Sequence, residues 1–260
     1  MGTRLLWPHS PAAGTAGSAS VGCPHPPARL PREISGLLIE YGGVLYDDTV
    51  WQRWLWQVLA RLGLHANYGV FFHVWQHEYL DDVHRGRRGL CEALEAFLLS
   101  AGLSRGQIEE VEAACKSRRL QLEEETKPLP GVKSALRQLH ENKLALAVSA
   151  ESEHPAELLQ HRLERSGLTG LFTAVVSSVD LGATKPNPVS YLAALETMKL
   201  PAERVAYLGH DSGALSGAAE VGMCTVAFNF DHDAQADVYL YHFEELVQAV
   251  GTPRPLAKAG

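Results

Sequence analysis

Five short runs that are apolar at every position but Thr225 constrain this chain more than any other feature: Leu37-Leu38-Ile39, Leu144–Val148, Ala174-Val175-Val176, Val205–Leu208 and Cys224–Ala227. A half-exposed strand alternates apolar with polar residues, so a strand with no polar face is buried on both sides. Segments with helical spacing separate the later runs, around Val132–His140, Leu158–Leu163, Val189–Met198 and Ala214–Val221, and Phe243–Val250 closes the series. This alternation predicts an α/β fold, a doubly wound parallel sheet with helices on both faces. Ligands of such sheets bind outside the carboxyl ends of the strands. The residues after each run are therefore the candidate functional residues.

The first two runs are far apart, and no strand pattern interrupts the stretch between them. Trp51, Trp54, Leu55, Val58, Leu59 and Leu62 recur at helix spacing before Gly63. Phe72, Trp75 and Tyr79 suggest a second helix, and Leu90, Leu94, Phe97 and Leu98 a third that stops at Gly102. A fourth opens at Ser104 with Gln107 three residues on, a capping box, and runs to about Glu124. Residues 49–126 thus read as an all-α insert, residues 34–48 and 127–250 as the sheet-bearing core. Hinges are expected near Asp47–Asp48 and Lys127–Gly131.

Residues 1–33 hold six of the fourteen prolines and lack apolar periodicity, which predicts a disordered tail, and residues 251–260 read as a second one. The early apolar stretch Leu5-Leu6-Trp7 is stopped by Pro8, too short for a secretion signal. No run approaches the roughly 18 apolar residues of a membrane span. The 30 acidic residues against 23 basic ones, net −7, disfavour a nucleic-acid partner. Cys23, Cys91, Cys115 and Cys224 are scattered with no CxxC pair, so a reducing cytoplasm is expected.

The strand ends read Glu40-Tyr41-Gly42-Gly43-Val44-Leu45-Tyr46-Asp47, Ser149, Lys185-Pro186-Asn187-Pro188 and Gly209-His210-Asp211. In order and context these resemble the motifs of the haloacid dehalogenase (HAD) superfamily of hydrolases, over about residues 35–250, with Gly217-Ala218 also in register. The resemblance implies a HAD-like Rossmannoid core with an α-helical (C1-type) cap inserted after the first strand. It places Glu40 at the position of the nucleophile, normally Asp, and Gly42 at that of the acid/base Asp. Ser149, Lys185 and the backbone at Gly43 would hold phosphate. Mg²⁺ would be held by Glu40 and Asp211, with His210 standing where the motif has its acidic ligand and Ala214 at the later Asp position.

The chemistry explains why these departures matter. A nucleophilic carboxylate forms an acyl-phosphate, and a second acid protonates the leaving oxygen. Glu40 is one methylene longer than Asp, which moves the attacking oxygen by about 1 Å, and a misplacement of that size costs roughly 10²-fold in rate. A missing general acid costs about 10²–10⁴-fold more. The expected function is therefore a HAD-like protein with an impaired site that binds a phosphate-bearing ligand or a protein partner. The alternative is an active phosphatase with an altered set led by Glu40. A purely structural role is also open, in which Glu40 and Lys185 neutralise one another as a buried pair.

Other motifs are weaker. His73 and His77 lie at i, i+4, but residue 74 is Val, so the metalloprotease pattern fails. Gly102-Leu103-Ser104-Arg105-Gly106 spells GxSxG between two helices, where a nucleophile elbow needs a preceding strand. Four of the five tryptophans fall between 51 and 75, read as packing of the insert.

Overall fold

A computed structural model describes residues 29–125 and 127–251. The two tails expected from the sequence fall mostly on residues 1–28 and 252–260, outside the described residues. Leu30, within the stretch read as tail, already packs on the core, its N–H donating to Ala249 O at 3.0 Å.

The core is a six-stranded, wholly parallel sheet. Its strands are β1 (Gly36–Glu40), β2 (Ala145–Ala150), β3 (Phe172–Ser177), β4 (Val205–Gly209), β5 (Cys224–Phe228) and β6 (Val238–Leu240), in the order β3-β2-β1-β4-β5-β6. The apolar runs account for the first five. The sixth was not anticipated, because it has three residues with an exposed Tyr239 at its centre and no run long enough to register. Strand order reverses at β1, which pairs with β2 on one side and β4 on the other. All five residues of β1 and of β4 are buried.

Between β1 and β2 the chain forms α1 (Thr49–Arg61), α2 (Tyr68–Val74), a π-helical stretch Trp75–Leu80, α3 (Asp81–His84), α4 (Leu90–Ser100) and α5 (Arg105–Glu125). They have their own apolar core, centred on Leu55, Leu59, Phe72, Trp75, Leu98 and Val111. The expected capping box is present, with Ser104 N–H and Oγ both on Gln107 Oε1 at 2.9 and 2.8 Å. Gly102-Leu103 is the turn between α4 and α5, and Ser104 is occupied as a cap. The expected second helix is wound partly as π-helix, so Trp75 faces the core while His77 turns its ring to His73 O.

The remaining helices are α6 (Val132–Glu141), α7 (Ala156–Leu163), α8 (Ser178–Leu181), α9 (Val189–Met198), α10 (Ser212–Val221) and α11 (Glu245–Val250). Val132, Leu136, Leu139 and Leu246 of α6 and α11 cover one face of the sheet. Tyr191, Leu195, Leu215 and Ala218 of α9 and α10 cover the other. α11 begins two residues later than its apolar pattern suggests, because Glu245 carboxylate accepts from the N–H groups of Tyr241 and His242 and fixes a turn there. Among the described residues no helix is long and apolar enough to cross a membrane.

Candidate active site

The crevice of a doubly wound sheet opens where strand order reverses, here between the carboxyl ends of β1 and β4. Glu40 is the last residue of β1, in register with Ser149 of β2, and His210 follows β4 directly. Lys185 comes from the loop ahead of α9. These three side chains meet. Lys185 Nζ pairs with Glu40 Oε1, and His210 Nδ1 lies 2.8 Å from Glu40 Oε2. The His210 backbone N–H donates to the same Oε2 at 3.2 Å. Both carboxylate oxygens are therefore engaged by cationic side chains, within protein that leaves the Glu40 side chain 6% and the Lys185 side chain 2% exposed.

Burial alone would raise the Glu40 pKa, but the charges and hydrogen bonds of Lys185 and His210 outweigh it and bring it to about 2. Burial would lower that of Lys185, yet Glu40 and then Glu151 hold it above the ordinary lysine range. For His210 burial also pulls down, and the Glu40 carboxylate reverses this, to about 9. The trio is thus one anion between two cations at neutral pH.

This arrangement fixes a pH dependence. His210 has a raised folded-state pKa, so its stabilisation is complete below about 6.5 and is lost as pH rises through about 9. Glu40 has a depressed one, so its share is complete above about 4.5 and is lost as pH falls toward 2. Calorimetry should therefore show the melting temperature declining between about pH 6.5 and 9, beyond the decline of a His210→Asn variant. Parallel profiles for the two proteins would remove His210 from the trio.

The glycines beside Glu40 are shaped by their neighbours. Gly43 has φ +70°, and a Cβ there would come within 2.8 Å of His210 Cε1 and Nδ1, so the imidazole lies directly against it. Its N–H donates to Tyr46 O at 2.9 Å inside the turn, and its carbonyl accepts from Asn229 Nδ2 at 3.0 Å. A Cβ at Gly42 would stand 3.1 Å from Asp48 Oδ2. The space of the absent side chain is thus bordered by another carboxylate, whose pKa is raised by burial, against the pull of His210 and with the push of Glu40. Asp48 is the N-cap residue of α1, yet its side chain makes no cap bond.

The remaining sequence candidates are placed as follows. Ser149 is buried at the end of β2, and its carbonyl accepts from Tyr41 N–H at 2.9 Å. Asp211 caps α10, its Oδ1 accepting from Ala214 N–H at 2.8 Å. Ligand atoms of Glu40, His210 and Asp211 lie within 4.8 Å of one another.

Several neighbours were not singled out from sequence. Glu151, two residues past Ser149, accepts from Lys185 N–H at 2.6 Å, and burial raises its pKa against the pull of Lys185. Its place at a strand end was the available signal. Tyr207 of β4 lies beneath Lys185 Nζ, 5.9 Å from ring centroid to ammonium, and its buried hydroxyl has no hydrogen-bond partner among the described residues. Next to Lys185, Thr184 Oγ1 donates to Asp81 Oδ1 at 2.7 Å and accepts from Arg85 Nη2 at 2.9 Å, which ties α3 and the residue after it to the Lys185 loop. His84, at the end of α3, is buried enough to bring its pKa to about 4 despite Glu153 nearby. No sequence pattern marks a contact spanning a hundred residues.

A cavity of about 430 Å³ lies elsewhere, between α1 and α5 of the insert, where Trp54, Val58, Arg61 and Glu110 line it.

Comparisons with known proteins point the same way as the strand-end geometry. A phosphoglycolate phosphatase of Yersinia pestis is 22% identical over 139 residues, 51% of this chain and 59% of that protein. A ribulose-1,5-bisphosphate 5-phosphatase of Halopiger xanaduensis is 30% identical over 114 residues, 44% of this chain and 47% of that protein. The chain thus spans about half the length of the curated relatives it matches. In three dimensions it superposes on an L-2-haloacid dehalogenase of Xanthobacter autotrophicus with a TM-score of 0.59 at 19% identity, covering 84% of this chain and 98% of that one. The profile of the haloacid dehalogenase-like hydrolases matches residues 91–228, more than half of the sequence, and the chain belongs to that family.

Proposed function

We propose that this chain is a non-hydrolytic member of the family that acts by binding. One observation carries the reading: both oxygens of Glu40 are held by Lys185 and His210, in a buried trio that is complete without a substrate. Three of the roughly four acceptor positions of that carboxylate are taken, whereas a nucleophile must turn a lone pair on the reacting atom. The loss of the acid at position 42 supports the same reading. Lys185 is engaged by Glu40 and the Gly43 amide by Tyr46, which favours a protein partner over a phosphate-bearing ligand.

The test is hydrolysis of an aryl phosphate with Mg²⁺, Mn²⁺, Co²⁺ or no metal, for the wild type and Glu40→Ala. Equal, background rates are expected. Turnover in the wild type that vanishes in Glu40→Ala would sink the proposal.

A second reading, an active phosphatase led by Glu40, is favoured by Asp48. Its carboxylate borders the place of the missing acid, and its raised pKa suits a proton donor. The phosphatases among the relatives lend it weight. Under that reading Asp48→Asn would lower turnover by about 10²-fold or more.

A further inference from the structure

The family to which the chain belongs is associated with Mg²⁺, and the donor atoms here do not suit that ion. Magnesium demands near-octahedral oxygen coordination and gives up water reluctantly. Around Glu40 the nearest side-chain donor is an imidazole nitrogen, already on Oε2 at 2.8 Å. The His210 amide shares that oxygen at 3.2 Å, so a single residue grips Oε2 twice. Oε1 is taken by Lys185. Asp211, a carboxylate within 4.8 Å of Glu40, has Oδ1 on the Ala214 N–H at 2.8 Å. A divalent ion brought to Glu40 would displace the ring and meet like charge on the ammonium of Lys185.

The ring is also seated as if its position were fixed. It lies flat against Gly43, where any Cβ would come within 2.8 Å of Cε1 and Nδ1, so only glycine leaves it room. It projects from the end of β4, the strand beside β1 across the crevice. We propose that the residues beside Glu40 no longer fit Mg²⁺, because the His210 ring fills the place where the family's metal would be held and takes Glu40 Oε2 for itself. His210, Gly43 and Glu40 are then one device: a tethered imidazole, the seat that admits it and the carboxylate long enough to reach it.

The inference rests on the same strand-end geometry as the non-hydrolytic reading, but the two fail separately. Metal-free turnover would sink that reading and leave this one standing. Metal binding without turnover would do the reverse.

The experiment uses the full chain and reads binding. The wild type and His210→Asp are titrated with Mn²⁺, followed by water-proton relaxation, and with Mg²⁺, followed by calorimetry. Histidine-ring ¹H–¹⁵N spectra of the wild type are recorded in parallel. Expected is no saturable binding to the wild type, a His210 ring signal unmoved by Mg²⁺, and Mn²⁺ affinity at least about 100-fold higher in His210→Asp, which restores an oxygen donor. Saturable binding of Mg²⁺ or Mn²⁺ to the wild type that Glu40→Ala abolishes would overturn the proposal. So would a folded His210→Asp variant that binds no better than the wild type. If that variant fails to fold, the wild-type spectra decide: a ring signal that shifts with Mg²⁺ overturns the proposal, and an unmoved one supports it.

Discussion

Lys185→Ala is expected to cost about 3–5 kcal/mol of folding stability, the usual effect of removing one partner from a buried ion pair. The charge left behind is Glu40, almost without solvent, with only His210 to compensate it. For a domain of this size each kcal/mol shifts the melting temperature by about 2–4 °C, so a drop of about 6–20 °C should appear by calorimetry. The informative companion is Lys185→Met with Glu40→Gln, which removes both charges at similar volume. Because desolvation opposes the pair in the first place, this double variant should recover most of the loss. A Lys185→Ala protein as stable as the wild type would mean that the pair does not hold the strand ends together. The result also bears on phosphate binding, since a lysine needed to neutralise a buried acid is a poor anchor for a ligand.

The second large effect is a gain. Glu40→Asp, Gly42→Asp and His210→Asp together bring back a short nucleophile, an acid and an oxygen donor for metal. Glu40→Asp removes a misplacement worth roughly 10²-fold and Gly42→Asp restores an acid worth about 10²–10⁴-fold, so aryl-phosphate turnover should rise by about 10⁴-fold or more with Mg²⁺. Position 42 needs help. Its new Cβ would stand 3.1 Å from Asp48 Oδ2, and two acids on such close neighbours oppose one another's ionisation. Adding Asp48→Ser should therefore improve both stability and rate. A folded quadruple variant that binds Mg²⁺ and remains inert would place a further defect on the β2 side. Glu151 is the residue to examine next, because its carboxylate lies against the Lys185 backbone.

Much of this architecture could be read from the chain because burial leaves a plain signature in parallel strands. The runs at 37–39, 174–176, 205–208 and 224–227 lie within strands of the sheet, and that at 144–148 begins one residue ahead of β2. β6 escaped notice since a three-residue edge strand with an exposed tyrosine resembles any loop. The candidate site was legible as a set of positions: Glu40 and His210 could be named from the end of a strand and the residue after one, and Lys185 from the motif ahead of a helix. Of their contacts, the Glu40–Lys185 pair was among the readings the residues left open, and the His210 contact was not. Whether Glu40 grips a metal, a lysine or a histidine depends on the reach of one side chain across two strands, which spacing along the sequence does not encode. Asp48 illustrates the same limit. The sequence marks it only as part of a hinge, whereas it stands at the N-cap of α1 with no cap bond from its side chain, which borders Gly42 instead. Asp211 is the converse, a candidate ligand by motif whose oxygen is occupied in starting α10.

The fork at Thr184 gives the molecule a mechanical linkage. One hydroxyl holds Asp81 and Arg85 of the insert, and the next residue in the chain is the counter-ion of Glu40. Lifting the insert away from the sheet therefore pulls on the same peptide that keeps Lys185 in place. A force drawing the outer helices away from the sheet would load the loop that carries Lys185.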